Sequence, residues 1–370
     1  MLLTPVDNSA IVTALAAALD GGPAVLPLSP TDPRAAELRA AMKPEDPVLA
    51  GTAVVVATSG STGTAKGVEL SAAALTASAA ATHARLGGPG QWLLTLPAHH
   101  IAGVQVIVRS LLAGHTPLVR DAQTFADAVA SMTGPRRYTS LVPTQLLRLL
   151  DEPAGLDALR TFDAVLLGGA ATPGPLLARA RAAGVTISTT YGTSETAGGC
   201  VYDGRPLDGV RVRLADGVVH LAGPVLASGY RLDPAATAEA FADGWFRTTD
   251  LGELRPDGTL EVLGRADFMI NTGGVKVAPA AVEAVLTAQS GVAEACVVDL
   301  PSEEWGQLVA AAVVPADPAN PPEVSALRDA VRDRLGGPAV PKLVRFADHL
   351  PLRGPGKVDR NGVKDLLRGT

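Results

Sequence analysis

The 370-residue sequence predicts an α/β protein of two domains. A large N-terminal domain with a mainly parallel sheet and a small antiparallel β-region precedes a small C-terminal α+β domain joined by a hinge. Three observations carry this reading. The length exceeds one domain of roughly 150 residues. From residue 50, short β-branched or Leu-rich runs alternate with Ala-rich helical stretches, as in a parallel sheet covered on both faces. After about residue 205 the texture changes to short strands with frequent turns, and a second, smaller α/β unit follows.

Taken in order, Ala53–Ala57 reads as a buried strand, Ser71–Arg85 as a helix and Gln91–Leu96 as a strand. Ile101–Ala113 is then helix, and Thr116–Val119 and Tyr138–Val142 are strands. Pro143–Leu150 is helical with Pro in its first turn, where a missing N–H is tolerated. Asp163–Leu167 and Val185–Thr189 are strands around the helix Pro175–Ala183. Val210–Leu214, Val218–Leu221 and Thr259–Leu263 make the antiparallel region, the last after the turn Pro256-Asp257-Gly258. In the second unit, Pro279–Leu286 and Pro322–Leu335 read as helices, and Ala293–Asp299, Leu308–Val314 and Leu343–Phe346 as strands. The polar break Gly264–Asp267 divides the chain into domains 1–265 and 266–370.

Composition excludes several classes. With 47% hydrophobic and 18% charged residues there is material for a real core and no case for global disorder. A net charge of −6 and 4% aromatics argue against a nucleic-acid binder. Cys200 and Cys296 are too few for a disulfide framework or a tetrahedral metal site, which fits a reducing compartment. Ala10–Leu19 is apolar, but the first basic residue is Arg34, so the charged start of a signal peptide is lacking. The uncharged run Leu86–Val108 contains Gly-Gly-Pro-Gly, Pro97 and His99-His100, which argue against a membrane span. The expectation is a soluble, cytoplasmic protein.

The most informative stretch is Thr58-Ser59-Gly60-Ser61-Thr62-Gly63-Thr64-Ala65-Lys66-Gly67, directly after a predicted strand. Glycines let backbone N–H groups turn inward, hydroxyls donate to phosphate oxygens, and Lys66 supplies charge. It is not a Walker A loop, because Lys66 is followed by Gly67 rather than Ser or Thr.

This loop resembles the signature of the adenylate-forming superfamily of acyl- and aryl-CoA ligases, peptide-synthetase adenylation domains and luciferases. Four further motifs follow in that family's order: Tyr191-Gly192-Thr193-Ser194-Glu195, Trp245-Phe246-Arg247-Thr248-Thr249-Asp250, Gly264-Arg265-Ala266-Asp267 with Thr272-Gly273-Gly274, and Gly356-Lys357-Val358-Asp359-Arg360. Within it, Leu141–Leu146, Leu166–Ala170 and Gly198–Gly204 are most similar to the 2-succinylbenzoate–CoA ligases of menaquinone biosynthesis. Full-length superfamily members carry a longer segment before the phosphate loop. The shortened start is expected to leave core surface uncovered, with a homodimer as one way to cover it.

The resemblance implies two steps: a carboxylate attacks the α-phosphorus of ATP to give an acyl-adenylate and pyrophosphate, and CoA then displaces AMP. The cofactors implied are ATP, Mg²⁺ and CoA as co-substrate, and the partner is a small aromatic dicarboxylate. By resemblance Thr58, Ser59, Gly60, Ser61, Thr62, Gly63 and Lys66 hold the β- and γ-phosphates, Thr193 contacts the α-phosphate, and Glu195 ligates Mg²⁺. Gly168, Gly169 and Ala170, after a strand, let adenine approach the backbone, with Tyr191 and Gly192 beside it. Asp250 accepts from the ribose hydroxyls, and Arg265 belongs to the same nucleotide set. Lys357 bridges the reacting carboxylate and α-phosphate from a mobile Gly-flanked loop. Rotation about Asp267 then brings Gly273 and Gly274 to the site for the CoA step.

For the acid pocket, His100 is favoured over its neighbour His99. Thr144, Gln145, Ser194, Thr196, Gly198 and Gly199 are further candidates, with Arg109 or Arg148 as charges for the second carboxylate. Bland alternatives stand beside each residue: an N-capping role for Glu195, a plain turn at Gly168-Gly169, a solvated Lys357, a structural His100. Cys200 reads as a packing residue. The competing functions are a ligase for another aryl or acyl acid, transfer to a carrier protein or amine, and a non-catalytic nucleotide-binding module.

Overall fold

A computed structural model describes residues 2–59, 65–119, 124–353 and 357–369, with only the backbone of Ser59, Arg353 and Lys357. Gly60, Ser61, Thr62 and Gly63 of the expected phosphate loop lie outside the described residues.

The first sheet has the order β1-β2-β3-β4-β14, from β1 (Leu3–Val6), β2 (Ala24–Pro27), β3 (Thr52–Ser59), β4 (Ala65–Ser71) and β14 (Gly229–Tyr230). Its first three strands are parallel, β3 and β4 form an antiparallel pair, and β14 runs antiparallel to β4. Helices α1 (Ile11–Leu19) and α2 (Ala35–Met42) belong to this part. The second sheet runs β11-β10-β9-β8-β7-β5-β6, from β5 (Gln91–Leu94), β6 (Leu118–Val119), β7 (Arg137–Leu141), β8 (Ala164–Leu167), β9 (Ile187–Thr193), β10 (Gly198–Tyr202) and β11 (Arg205–Pro206). It is parallel from β9 to β6 and turns antiparallel at β10. Around it lie α3 (Ala72–Arg85), α4 (Ile101–Leu112), α5 (Phe125–Ala130), α6 (Pro143–Asp151), α7 (Pro153–Leu159) and α8 (Gly174–Ala182).

A third, antiparallel sheet holds β12 (Arg211–Ala215), β13 (Val218–Ala222), β15 (Phe241–Ala242), β16 (Trp245–Leu254) and β17 (Leu260–Arg265), with α9 (Pro234–Ala240) just before β15. Beyond Arg265 a separate sheet begins: β18 (Ile270–Thr272), β19 (Val275–Val277), β20 (Val292–Ser302), β21 (Gly306–Pro315) and β22 (Leu343–Phe346). It packs with α10 (Pro279–Thr287), α11 (Val324–Leu335) and α12 (Arg360–Arg368), and the pair β23 (Leu352–Arg353) and β24 (Lys357–Val358) precedes the last helix. No helix among the described residues is long and apolar enough to cross a membrane.

The parallel α/β core, the antiparallel region and the second unit match the expected fold class. Three details differ. Residues 2–50, for which the sequence reading gives no elements, supply two parallel strands and two helices, which extend the sheet from β3. Trp245–Leu254 is one long strand, so Asp250 stands on a β-strand and not in a loop. Lys357 sits in a short strand paired with Arg353, not in a loop.

Core packing also sets an acid limit on stability. His83 in α3 is buried, and its Nε2 accepts the indole N–H of Trp92 at 3.3 Å. Burial first, and then the charge of Arg109, push its ionisation down from 6.5 to about 4. Between those values the unfolded chain binds more protons, so stability is full above about 6.5 and falls as pH drops towards 4. The melting temperature is expected to fall over that window, and less so in His83→Gln, which keeps an acceptor for Trp92 but does not titrate. Equal pH slopes for the two proteins would contradict this.

Candidate active site

The carboxyl end of β9 is the centre of the site. Ligands of open α/β sheets gather outside such strand ends. Tyr191, Gly192 and Thr193 close β9, a single 3₁₀ turn carries Ser194, Glu195 and Thr196, and β10 returns antiparallel from Gly198. Backbone contacts fix the turn: Ala227 N donates to Glu195 O at 2.8 Å, and Ser78 Oγ of α3 donates to Ala197 O at 3.2 Å.

Two glycines are required here by close approach. A Cβ on Gly192 would stand 2.1 Å from Gly198 O and 2.8 Å from Gly199 Cα. One on Gly168 would stand 2.3 Å from Thr190 Oγ1. Gly192→Ala is therefore expected to splay β9 from β10, costing on the order of 1–3 kcal/mol. The denaturant midpoint and adenylation should fall together, and an unchanged midpoint would contradict the close approach.

Three sheets meet at this point. From the antiparallel sheet, Asp250 accepts a hydrogen bond from Tyr191 Oη at 2.7 Å. Burial raises the Asp250 carboxyl, while the Tyr191 hydrogen bond and the Arg265 charge oppose that rise. From the first sheet, the ammonium of Lys66 lies 4.9 Å above the ring of Tyr230, whose Oη donates to Glu195 Oε1 at 2.9 Å. Thr58 Oγ1 donates to Lys66 O across the β3–β4 pair. Thr193 Oγ1 is buried, with no hydrogen-bond partner among the described residues. A buried hydroxyl left this way costs about 1–3 kcal/mol unless a ligand completes it.

The expected residues therefore divide. Lys66, Thr193, Glu195, Tyr191 and Asp250 surround one region. Gly168 stands against Thr190 of β9, and Gly169 against Val142, next to the helix start that carries Thr144. His100 precedes α4, with its ring 4.3 Å from that of His99. Ile101 and Gln105 of α4 face Gly198.

Several acid-pocket candidates are occupied elsewhere. Gln145 accepts from Val142 N at 3.1 Å and donates to Thr95 O at 3.1 Å, so its amide caps a helix. Thr196 Oγ1 is held by Thr193 and Gly198 backbone groups. Arg109 is buried, 5.0 Å over the Trp92 ring, and donates to Tyr202 Oη. Cys200 is fully buried and its thiol is pushed up to about 12, in keeping with a packing role.

Beyond the third sheet, Arg265 makes a bidentate pair with Asp267, at 2.8 and 2.6 Å. Gly273 N donates to Trp305 O at 3.0 Å, and no atom lies within 4 Å of a Cβ built on Gly274. Sequence reasoning missed Tyr230 and Gln105. Gln105 is fully buried; its Nε2 donates to Leu75 O, and its Oε1 has no partner among the described residues.

Mg²⁺ prefers oxygen ligands, usually one or two carboxylates together with substrate phosphates. Among the described residues no group of three or more His, Cys, Asp or Glu can hold an ion. Glu195 alone fits an ion that arrives on nucleotide phosphates.

These features define a nucleotide-activating α/β enzyme, and the chain belongs to the AMP-binding enzyme family: residues 7–230 match that family and residues 281–357 its C-terminal domain. A Mycobacterium tuberculosis (strain CDC 1551 / Oshkosh) protein described as a probable 2-succinylbenzoate–CoA ligase is 46% identical, over 97% of this chain and 95% of its own. The 2-succinylbenzoate–CoA ligase of Geobacillus kaustophilus (strain HTA426) is 35% identical over 87% of this chain and 71% of its own. Among solved structures, O-succinylbenzoate coenzyme A synthetase of Bacillus subtilis in complex with AMP aligns with TM-score 0.72 at 29% identity, covering 85% of this chain and 69% of that one. An amide bond synthetase of Marinactinospora thermotolerans aligns with TM-score 0.78 at 30% identity, covering 99% and 80%.

Proposed function

We propose that this protein is an ATP-dependent acid–CoA ligase acting on 2-succinylbenzoate in menaquinone biosynthesis. It forms the acyl-adenylate with release of pyrophosphate, then transfers the acyl group to CoA with release of AMP. The observation that carries the choice of acid is the 46% identity to the Mycobacterium tuberculosis relative over nearly the full length of both chains. The chemistry is supported by the charges grouped at the end of β9 and by the Thr193 hydroxyl there, buried with no partner among the described residues.

Lys66 and the hydroxyl-rich loop before it bind the terminal phosphates, and Thr193 donates to the α-phosphate. Tyr191 holds Asp250 in place to receive the ribose hydroxyls, with Arg265 alongside. Glu195 holds Mg²⁺, which when bound neutralises phosphate charge that would repel the attacking carboxylate. Gly168, Gly169 and Ala170 form the adenine wall. His100, Thr144, Ser194, Gly198 and Gly199 line the acid side. Residues 266–370 act as a mobile lid that turns about Asp267, presenting Lys357 for adenylation and Gly273-Gly274 for thioester formation. A homodimer would cover core surface left by the short segment before the phosphate loop; sedimentation at several concentrations decides it, and a monomer with no concentration dependence would contradict it. The setting is the cytoplasm.

The test is pyrophosphate release with ATP and Mg²⁺ over a panel of acids, each with and without CoA. Release with 2-succinylbenzoate well above simple benzoates and fatty acids supports the reading. Preference for another acid would replace the substrate, and no release with any acid would favour a nucleotide-binding module.

A further inference from the structure

Tyr230 touches both ionic groups that the proposed reaction needs, although none of the motifs quoted above contains it. Its hydroxyl donates to Glu195 Oε1 at 2.9 Å, and its ring lies 4.9 Å under the Lys66 ammonium. Among the described residues Lys66 forms no ion pair, so the ring is its electrostatic partner on this side.

The residue is held firmly enough to act as a reference point. It pairs with Val68 across β14 and β4, two residues along the strand from Lys66. Tyr230 N donates to Thr237 Oγ1 at 2.8 Å, and the ring meets Phe241 edge-on at 5.7 Å. The next residue, Arg231, is buried. It pairs with Glu69 at 3.3 Å and donates to the carbonyls of Met42, Lys43, Asp46 and Pro47, tying β14 to the N-terminal segment.

We propose that Tyr230 is a positioning residue that couples the phosphate-loop lysine to the metal-binding carboxylate. Its hydroxyl orients Glu195 and its ring holds Lys66, so that the phosphates and their ion meet both charges in one preset arrangement. Partners that orient a metal ligand typically change metal affinity about 10–100-fold when removed. This inference rests on the roles of Glu195 and Lys66 in the proposed function.

The test is calorimetric ATP binding in EDTA and in Mg²⁺, without acid or CoA. Tyr230→Phe keeps the ring and loses the donor. It should bind ATP in EDTA within about twofold of wild type, and its Mg²⁺-dependent gain in affinity should fall about tenfold. Adding Tyr230→Phe to Glu195→Gln should cost no further gain. An unchanged Mg²⁺ gain, or equal weakening with and without Mg²⁺, would overturn the proposal.

A second readout leaves the sequence intact. The chain has four tyrosines, so 3-fluorotyrosine labelling gives four ¹⁹F signals. The Tyr230 signal, assigned by Phe substitution at the other three, should move with Mg²⁺ and ATP together but not with ATP in EDTA. A signal blind to Mg²⁺ would overturn the coupling even if the Phe variant does not fold. Wild type that binds ATP with Mg²⁺ yet activates no acid would count against the functional reading, and not against this one.

Discussion

Lys357→Ala is expected to lower pyrophosphate release about 10²–10³-fold, the loss typical when one group that stabilises developing charge is removed. The same variant should still make thioester from preformed acyl-adenylate and CoA. The asymmetry follows from the chemistry. In the first step an anionic carboxylate approaches a polyanion, and a compact ammonium between them offsets that repulsion. In the second step the acid is already joined to AMP, and the nucleophile comes from CoA. Lys357 stands just before Val358 and α12, in a short pair with Arg353. Single-turnover assays of the two half-reactions check this, and equal loss in both would show that the lysine does not act selectively.

Thr193→Val is expected to separate activity from stability. The Thr193 hydroxyl is buried without a partner among the described residues, which costs about 1–3 kcal/mol. Valine fills the same volume without a polar atom, so the apparent melting temperature should stay level or rise. Adenylation should fall about 10²-fold, because the α-phosphate loses its donor as charge develops. A less stable variant with full activity would mean that the hydroxyl serves the fold.

The candidate site residues are more legible in the sequence than their surroundings. Thr193, Glu195, Asp250 and Lys66 lie in local motifs, and the fold brings the end of β9 against β16 and β4. Tyr230 was invisible because its importance comes from pairing with β4, about 160 residues earlier in the chain. Gln145 is a substrate candidate through its motif context, and Arg109 through its charge. A polar residue type does not tell a ligand-facing group from one that completes the core. For Gln145 a signal was present: it stands three residues after Val142 and two after Pro143, the position from which a side chain caps a helix. For Arg109 the apolar run Ile101–Leu112 already pointed to a buried helix. Residues 2–50 were left unassigned because β1 and β2 are four residues each, and parallel pairing with β3 is a long-range contact.

The most direct test of the account is mass analysis of the products from purified protein, ATP, Mg²⁺, CoA and 2-succinylbenzoate. The predicted result is 2-succinylbenzoyl-CoA with AMP and pyrophosphate in equal amounts, and acyl-adenylate accumulating when CoA is withheld. ADP with inorganic phosphate, or a thioester formed only from some other acid, would contradict it.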